Sequence, residues 1–322
     1  MARKYAAELM VGVMTYGYVL VRPQELGEVE GPRTDETHIY LIGTRPRVTI
    51  DPASVMMRAD GLTATCQWWD RDTAHSFRIV GKHNLGSRVF LESAYPYTDF
   101  ATRSVGDREP LVAGPVINLY AKDFRGFPPE CRDLQVLYVG KAYGEDGSRS
   151  SLDRLPSHAT LQRILTDVTP DRQVWLILAR IDDLTINGGF NASGEGSVDE
   201  DEDTKHYARA LRWLNSDFAT RKESVDLAEA GLIRYFKPRY NTQLRESFPS
   251  KGHSVIQSLK DLDLNSFVVE LQLQDLHIYA GNEAVKPANF HAQLFEINFE
   301  ADRGPMLDIL QPRSTNQTGI QL

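Results

Sequence analysis

Apolar and polar positions alternate in short runs through the first third of the chain. His38-Ile-Tyr-Leu-Ile-Gly43, Thr63–Trp69, Phe77–Val80 and Arg88–Leu91 are β-branched or aromatic runs punctuated by Gly, Pro and Asp, the pattern of short strands. Trp68 and Trp69 are adjacent, so in a strand they face opposite sides. One of them at most fills a core, and the other is left for an interface. In the middle of the chain, Gly114–Tyr120 and Leu134–Gly140 predict strands, and the near-continuous apolar run Val174–Ala179 is short enough for a buried one. The period then changes. Ser157–Asp167 places Leu161, Ile164 and Leu165 on one helical face, and further helices are expected over Asp203–Phe218 and Val225–Lys237. Strands return at Phe267–Leu273 and Leu294–Phe299, before a polar tail, Pro312–Leu322, that is expected to fray. The fold class is mixed α/β. Its central module is a three-stranded sheet from segments around 116–122, 134–139 and 173–180, flanked by helices. We divide the chain into a strand-rich N-terminal domain (1–112), the central module (113–252, with an acidic insertion at 187–203) and a strand-rich C-terminal extension (253–322).

The 322 residues correspond to about two average domains. A net charge of −8 excludes a uniformly basic nucleic-acid coat but leaves room for a local basic patch. Such a patch has a candidate. Asn187–Asp203 holds six carboxylates between Glu195 and Asp203 and reads as a solvated loop, without the ligand spacing of a calcium loop. From Lys205 to Lys251 the balance reverses to ten Lys/Arg against five Asp/Glu, the pattern of a solvated helix face and also the footprint that a phosphate-binding face would leave. Cys66 and Cys131 are too few and too far apart for a disulfide framework or a cysteine-rich zinc site, and are read as structural thiols in a reducing compartment. Arg3 and Lys4 precede the apolar-leaning stretch Ala6–Val21, but Glu8 interrupts it and no small-residue cleavage site closes it. No run approaches the roughly 20 apolar residues of a membrane span. A soluble, cytoplasmic protein is expected.

The most informative segment is Val225–Lys237, which Ser224 can cap and Pro238 stops. Val225, Leu232, Ile233 and Phe236 form an apolar stripe, and Glu229 sits inside it. A carboxylate on a packed face is costly unless it is paired, hydrogen-bonded or metal-bound. The alternative is an edge position reaching solvent. The run Glu229…Leu232-Ile233…Lys237-Pro238-Arg239-Tyr240-Asn241 resembles the C-terminal half of the GIY-YIG nuclease domain, and Thr242-Gln-Leu-Arg-Glu246 resembles its excision-repair incision-subunit branch. Tyr138-Val-Gly-Lys-Ala142 resembles the YIG strand, and Asn118-Leu-Tyr120 fits the GIY position with Asn in place of Gly. Arg154 and His158 match the Arg-x-x-x-His spacing of the restriction-endonuclease branch, with Pro156 between them. His38-Ile-Tyr40 with Ile42-Gly43 repeats the letters, but no helix, Arg or Glu follows it at the family's spacing, and it is set aside.

The resemblance covers about 113–250 and implies a divalent-metal-dependent DNA endonuclease of restriction, repair or anti-phage type. RNA as substrate and a homo-oligomer stay open, and no membrane partner is implied. It further implies one Mg2+ or Mn2+ held by Glu229, acting as Lewis acid. Tyr120 would be the base or its orienter, with Lys141 lowering its pKa. Arg154 would grip the scissile phosphate, Tyr138 and His158 would position water or phosphate, and Asn241 would brace the turn. Lys141, Lys237 and Arg239 would add phosphate or DNA contacts. The competing reading is a binding or structural module that keeps the fold without cutting, with a site lacking metal geometry and Glu229 satisfied by Arg or solvent.

Overall fold

The longest strand is built from the stretch whose apolar character first suggests a leader. In the computed structural model, Ala7–Val21 is β1, an interior strand antiparallel to β11 (Arg172–Phe190) and parallel to β12 (Ser266–Gln272). The structure describes residues 4–83, 88–122, 124–143, 149–190, 198–215, 219–250 and 252–297. β2 (Ile39–Pro46) lies between β11 and β10 (Asp133–Lys141), antiparallel to both. Two short strands, β13 (Tyr279–Gly281) and β14 (Phe290–Glu296), complete a seven-stranded sheet in the order β13-β10-β2-β11-β1-β12-β14. Central strands need apolar residues on both faces, and all eight residues of β2 are buried.

The two faces carry separate cores. One packs Ile39, Leu41, Val136, Val139, Trp175 and Ile177 beneath helix α4 (Ala219–Phe236) and α5 (Ser254–Asp261). The other packs Tyr40, Ile42, Leu176 and Leu178 against Leu155, Leu161 and Ile164 of the short helix α1 (Ser151–Arg154), the turn after it and α2 (Ala159–Asp167). Helix α3 (Glu200–Leu214) is capped by Asp199, whose carboxylate accepts from the Glu202 N–H.

Between β2 and β10 the chain makes a long excursion. Residues 47–132 form a four-stranded sheet, from β3 (Thr49–Ile50), β4 (Met56–Met57), β5 (Gly61–Asp70) and β6 (Thr73–Lys82), and a three-stranded sheet, from β7 (Val89–Glu92), β8 (Asp99–Ser104) and β9 (Val112–Pro115). In β5, Trp68 is buried and stacks on His75, whereas Trp69 is 46% exposed, the alternation expected of adjacent residues. Cys66 and Cys131 are buried and free. Burial pushes both thiols up to about 12, which keeps them protonated and unreactive.

The mixed α/β class holds, and the structure changes its details. Val116–Lys122 is a 3-10 helix, not a strand. Its apolar residues Val116 and Leu119 are three apart, the spacing that aligns them in a three-residue turn. The neighbour of β10 and β11 is β2 instead, so the boundary at 112/113 runs through one sheet rather than between two. α4 begins at Ala219, which places Ser224 inside the helix rather than at its cap; Pro238 follows the end as expected. α2 begins at Ala159, with Leu161 and Ile164 buried and Leu165 exposed. Residues 191–197 of the acidic insertion and the tail from 298 onward, including 312–322, lie outside the described residues. Among the described residues, no helix is long and apolar enough to cross a membrane.

Candidate active site

β2 and β10 place two tyrosines on the same face of the sheet. Tyr40 and Tyr138 have ring centroids 6.2 Å apart, and both meet the His158 ring, at 5.6 and 5.3 Å. The rings approach over Gly140, where a Cβ would lie 2.6 Å from the Tyr40 ring and 2.7 Å from Tyr138. Only glycine leaves room for that approach.

His158 is fixed at both nitrogens. It is the N-cap of α2, and its Nδ1 accepts from the Leu161 N–H (3.3 Å). The proton of the neutral ring therefore resides on Nε2, which donates to the Tyr40 hydroxyl (3.1 Å). Pro156 supplies the break between α1, which ends at Arg154, and α2. Arg154 and His158 thus sit on two helices, and both act on Tyr40. Burial raises the Tyr40 pKa, the Tyr138 phenol adds to this, and the Arg154 guanidinium opposes it, with Glu229 raising it again. Tyr138 is raised by burial and then by Glu229, against Arg154. Burial, and then Arg154, lower His158.

Glu229 reaches this site from α4. Its carboxylate pairs with Lys141 Nζ at 2.8 Å, and Asp226, one helical turn earlier, pairs with the same ammonium at 2.7 Å. Burial works against the Lys141 charge, but Glu229 and Asp226 outweigh it and hold the pKa above its ordinary value. The ion pair accounts for an acid within an apolar helix.

Asn241 braces the site. Its amide accepts from the Val139 N–H (3.0 Å) and donates to the Val139 carbonyl (2.9 Å), while the Tyr240 N–H bonds the Leu137 carbonyl. These bonds cover the outer edge of β10 beyond the point where β13 ends. Asn241→Ala would leave two buried backbone groups unpaired, at about 1–3 kcal/mol each. A loss of about 2–6 kcal/mol in urea unfolding is expected, whereas a loss below the fluctuation of exposed-site variants would contradict the bracing role.

Tyr120 stands elsewhere. It packs on Phe127 (6.1 Å) beneath the buried Arg45 guanidinium, which lies 5.4 Å from its ring, in the core on the other face of the sheet. Burial raises its pKa, and Arg45 and Arg132 oppose this. Lys141 is bonded to acids of α4 rather than serving Tyr120. Lys237 and Arg239 lie past the end of α4, where Lys237 pairs with Glu246. The structure therefore brings together Tyr138, Lys141, Arg154, His158, Glu229 and Asn241, and in place of Tyr120 it supplies Tyr40, the tyrosine set aside in the sequence. Asp226 is a further addition. Its signal was its position three residues before Glu229.

The lowered His158 pKa has a consequence for stability. A histidine held neutral in the fold stabilises above the unfolded value of about 6.5, and that contribution is lost as pH falls through the folded pKa. His253 and His291, also lowered by burial, act in the same direction. Melting temperature is expected to be flat above neutrality and to fall on acidification below about pH 6.5. His158→Asn, which keeps an N-cap side chain, should make the fall shallower; an unchanged slope would remove His158 from the cause.

Among the described residues, no group of three or more His, Cys, Asp or Glu is arranged to hold a metal. Glu229 is, among the described residues, the carboxylate that acts electrostatically on both tyrosines. The Glu229 carboxylate is held by Lys141, and a single carboxylate with several waters is a donor set that Mg2+, which dehydrates reluctantly, tolerates. Comparison with models of known protein families, with curated proteins and with solved structures gives no match.

Proposed function

We propose that the protein is a divalent-metal-dependent endonuclease that hydrolyses DNA phosphodiester bonds through a GIY-YIG-like site in which Tyr40 takes the place first given to Tyr120. The observation that supports this most is the convergence of Tyr40, Tyr138, Arg154, His158 and Glu229 at one end of the antiparallel pair β2 and β10. Arg154 offers a planar, permanently charged fork to the non-bridging oxygens of a phosphodiester. Tyr40 accepts from His158 and keeps its own proton, so near neutrality it orients an attacking water or a phosphate oxygen. His158 in turn fixes the phenol, and Tyr138 closes the site on the other side. Mg2+ or Mn2+ held by Glu229 would supply Lewis-acid stabilisation of the phosphate and the leaving oxygen. Water oxygen bonds to phosphorus, the phosphorus–oxygen bond to the leaving group breaks, and the water's proton passes to solvent or the leaving oxygen.

A second reading has its own observation. Glu229 is already neutralised, by Lys141 rather than by the arginine or solvent expected of a non-cutting module, and a satisfied carboxylate favours such a module. Plasmid nicking by the purified protein in Mg2+, in Mn2+ and in EDTA separates the two. Metal-dependent nicking supports the nuclease. No cleavage of plasmid, single-stranded DNA or RNA by clean protein supports the module, and cleavage of RNA alone changes the substrate but not the chemistry.

A further inference from the structure

The tyrosine site is not the only place where charge gathers on this face of the sheet. A pocket of about 450 Å³ opens at the other end of α2, over Thr44 of β2 and Gln135–Leu137 of β10. Four cationic side chains line it, Arg172, Lys237, Arg239 and Arg245, against Asp167 and Glu283. Several of these charges are already spoken for. Lys237 pairs with Glu246, and Asp167 accepts from the Tyr240 hydroxyl at 2.7 Å and faces Arg163. Arg172, Arg239 and Arg245 make no ion pair among the described residues.

Two of these three guanidinium groups are set into the wall. Arg172 donates from one terminal nitrogen to the Thr44 carbonyl (3.0 Å), and its Nε is buried without a partner. The Nε of Arg245 is likewise buried and unpartnered. Burial lowers the Arg172 pKa, and Asp171, Asp70 and Asp133 oppose this without forming an ion pair with it among the described residues. Holding like charges together in a partly desolvated pocket is costly. An anion that accepts from several of them offsets the cost, and phosphate matches the planar fork of arginine.

The pocket also lies in line with the tyrosine site. Thr44 is four residues along β2 from Tyr40 on the same face, about 13 Å at ~3.3 Å per residue. α2 spans the same interval, with His158 at the tyrosine end and Asp167 at the pocket. A nucleic-acid strand covers that distance in a few nucleotides.

We propose that this pocket binds a phosphate group, carried by a nucleotide unit of the strand a few positions from the bond placed at Tyr40. The strand as the source rests on the cleavage reading; the phosphate chemistry of the pocket does not. The test is made in EDTA, so that binding is read without cleavage. Anisotropy of a short labelled DNA duplex is titrated at several salt concentrations with wild type, Arg172→Gln and the pair Arg239→Gln/Arg245→Gln. A second arm measures the rise in melting temperature on adding inorganic phosphate against chloride of equal ionic strength.

Duplex affinity lowered about tenfold or more in the folded variants, with a salt dependence shallower by about one to two charges, supports the strand as the source. Unchanged duplex binding, or none by wild type, together with a phosphate-dependent rise in melting temperature that the variants lose, keeps the phosphate site and assigns it to a free phosphorylated compound. Duplex binding and phosphate response that are the same in both folded variants as in wild type overturn the proposal. None of these outcomes depends on whether Glu229 supports cleavage.

Discussion

Glu229→Gln and Arg154→Ala are each expected to reduce plasmid nicking by about three orders of magnitude, the range seen when a Lewis acid or a fixed donor to the developing phosphate charge is lost. The glutamine keeps the size of the side chain and removes its charge. Lys141 then retains Asp226 as a partner, so the ammonium is not stranded and the fold should melt near the wild-type temperature. Partly exposed pairs of this kind contribute little to stability. Arg154 sits at the end of α1 and makes no ion pair among the described residues, so its removal should cost activity more than stability. Single-turnover nicking in Mg2+, with circular dichroism of each variant, checks both. A folded Glu229→Gln protein that nicks at the wild-type rate would place the metal elsewhere.

Several parts of this arrangement were legible along the chain because they are local. The segment from Glu229 to Asn241 reads as helix, stop and turn from its periodicity and its proline, and the structure places Phe236, Lys237 and Pro238 at that stop. The adjacent tryptophans, the strand at 134–140 and the interruption at Pro156 are also short-range signals. Tyr40 is different. Its strand pairs with β10 across an excursion of residues 47–132, and pairing between antiparallel strands is indifferent to what lies between them, because the entropy of closing a loop grows only logarithmically with length. A search that expects a short connection settles on the nearest upstream tyrosine, Tyr120, in a run whose β-branched residues imitate a strand. What distinguishes the two is tertiary. Gly140 makes room for Tyr40, and Arg45 covers Tyr120 on the opposite face. The Lys141 pair with Glu229 and Asp226 is hidden for the same reason, since 85 residues separate Lys141 from Asp226.

The two tyrosines give the most direct test, because they make opposite demands on the same assay. Removing the Tyr40 hydroxyl leaves His158 Nε2 without its acceptor and, in the proposed reaction, the attacking water without its orienting group. Tyr40→Phe is therefore expected to slow single-turnover cleavage by about 10²–10⁴-fold, the usual contribution of a positioned acid–base group. The phenyl ring still fills its place over Gly140, so folding should be retained. Tyr120→Phe removes a hydroxyl from the other face of the sheet, and its cleavage rate should stay within about twofold of wild type, a change below the scale of any catalytic contribution. The measurement is the single-turnover nicking rate of the two variants side by side in Mg2+. A large loss in Tyr40→Phe with a near-normal Tyr120→Phe is the expected result. The reverse pattern would contradict the assignment of Tyr40 and return the reaction to the segment around Tyr120.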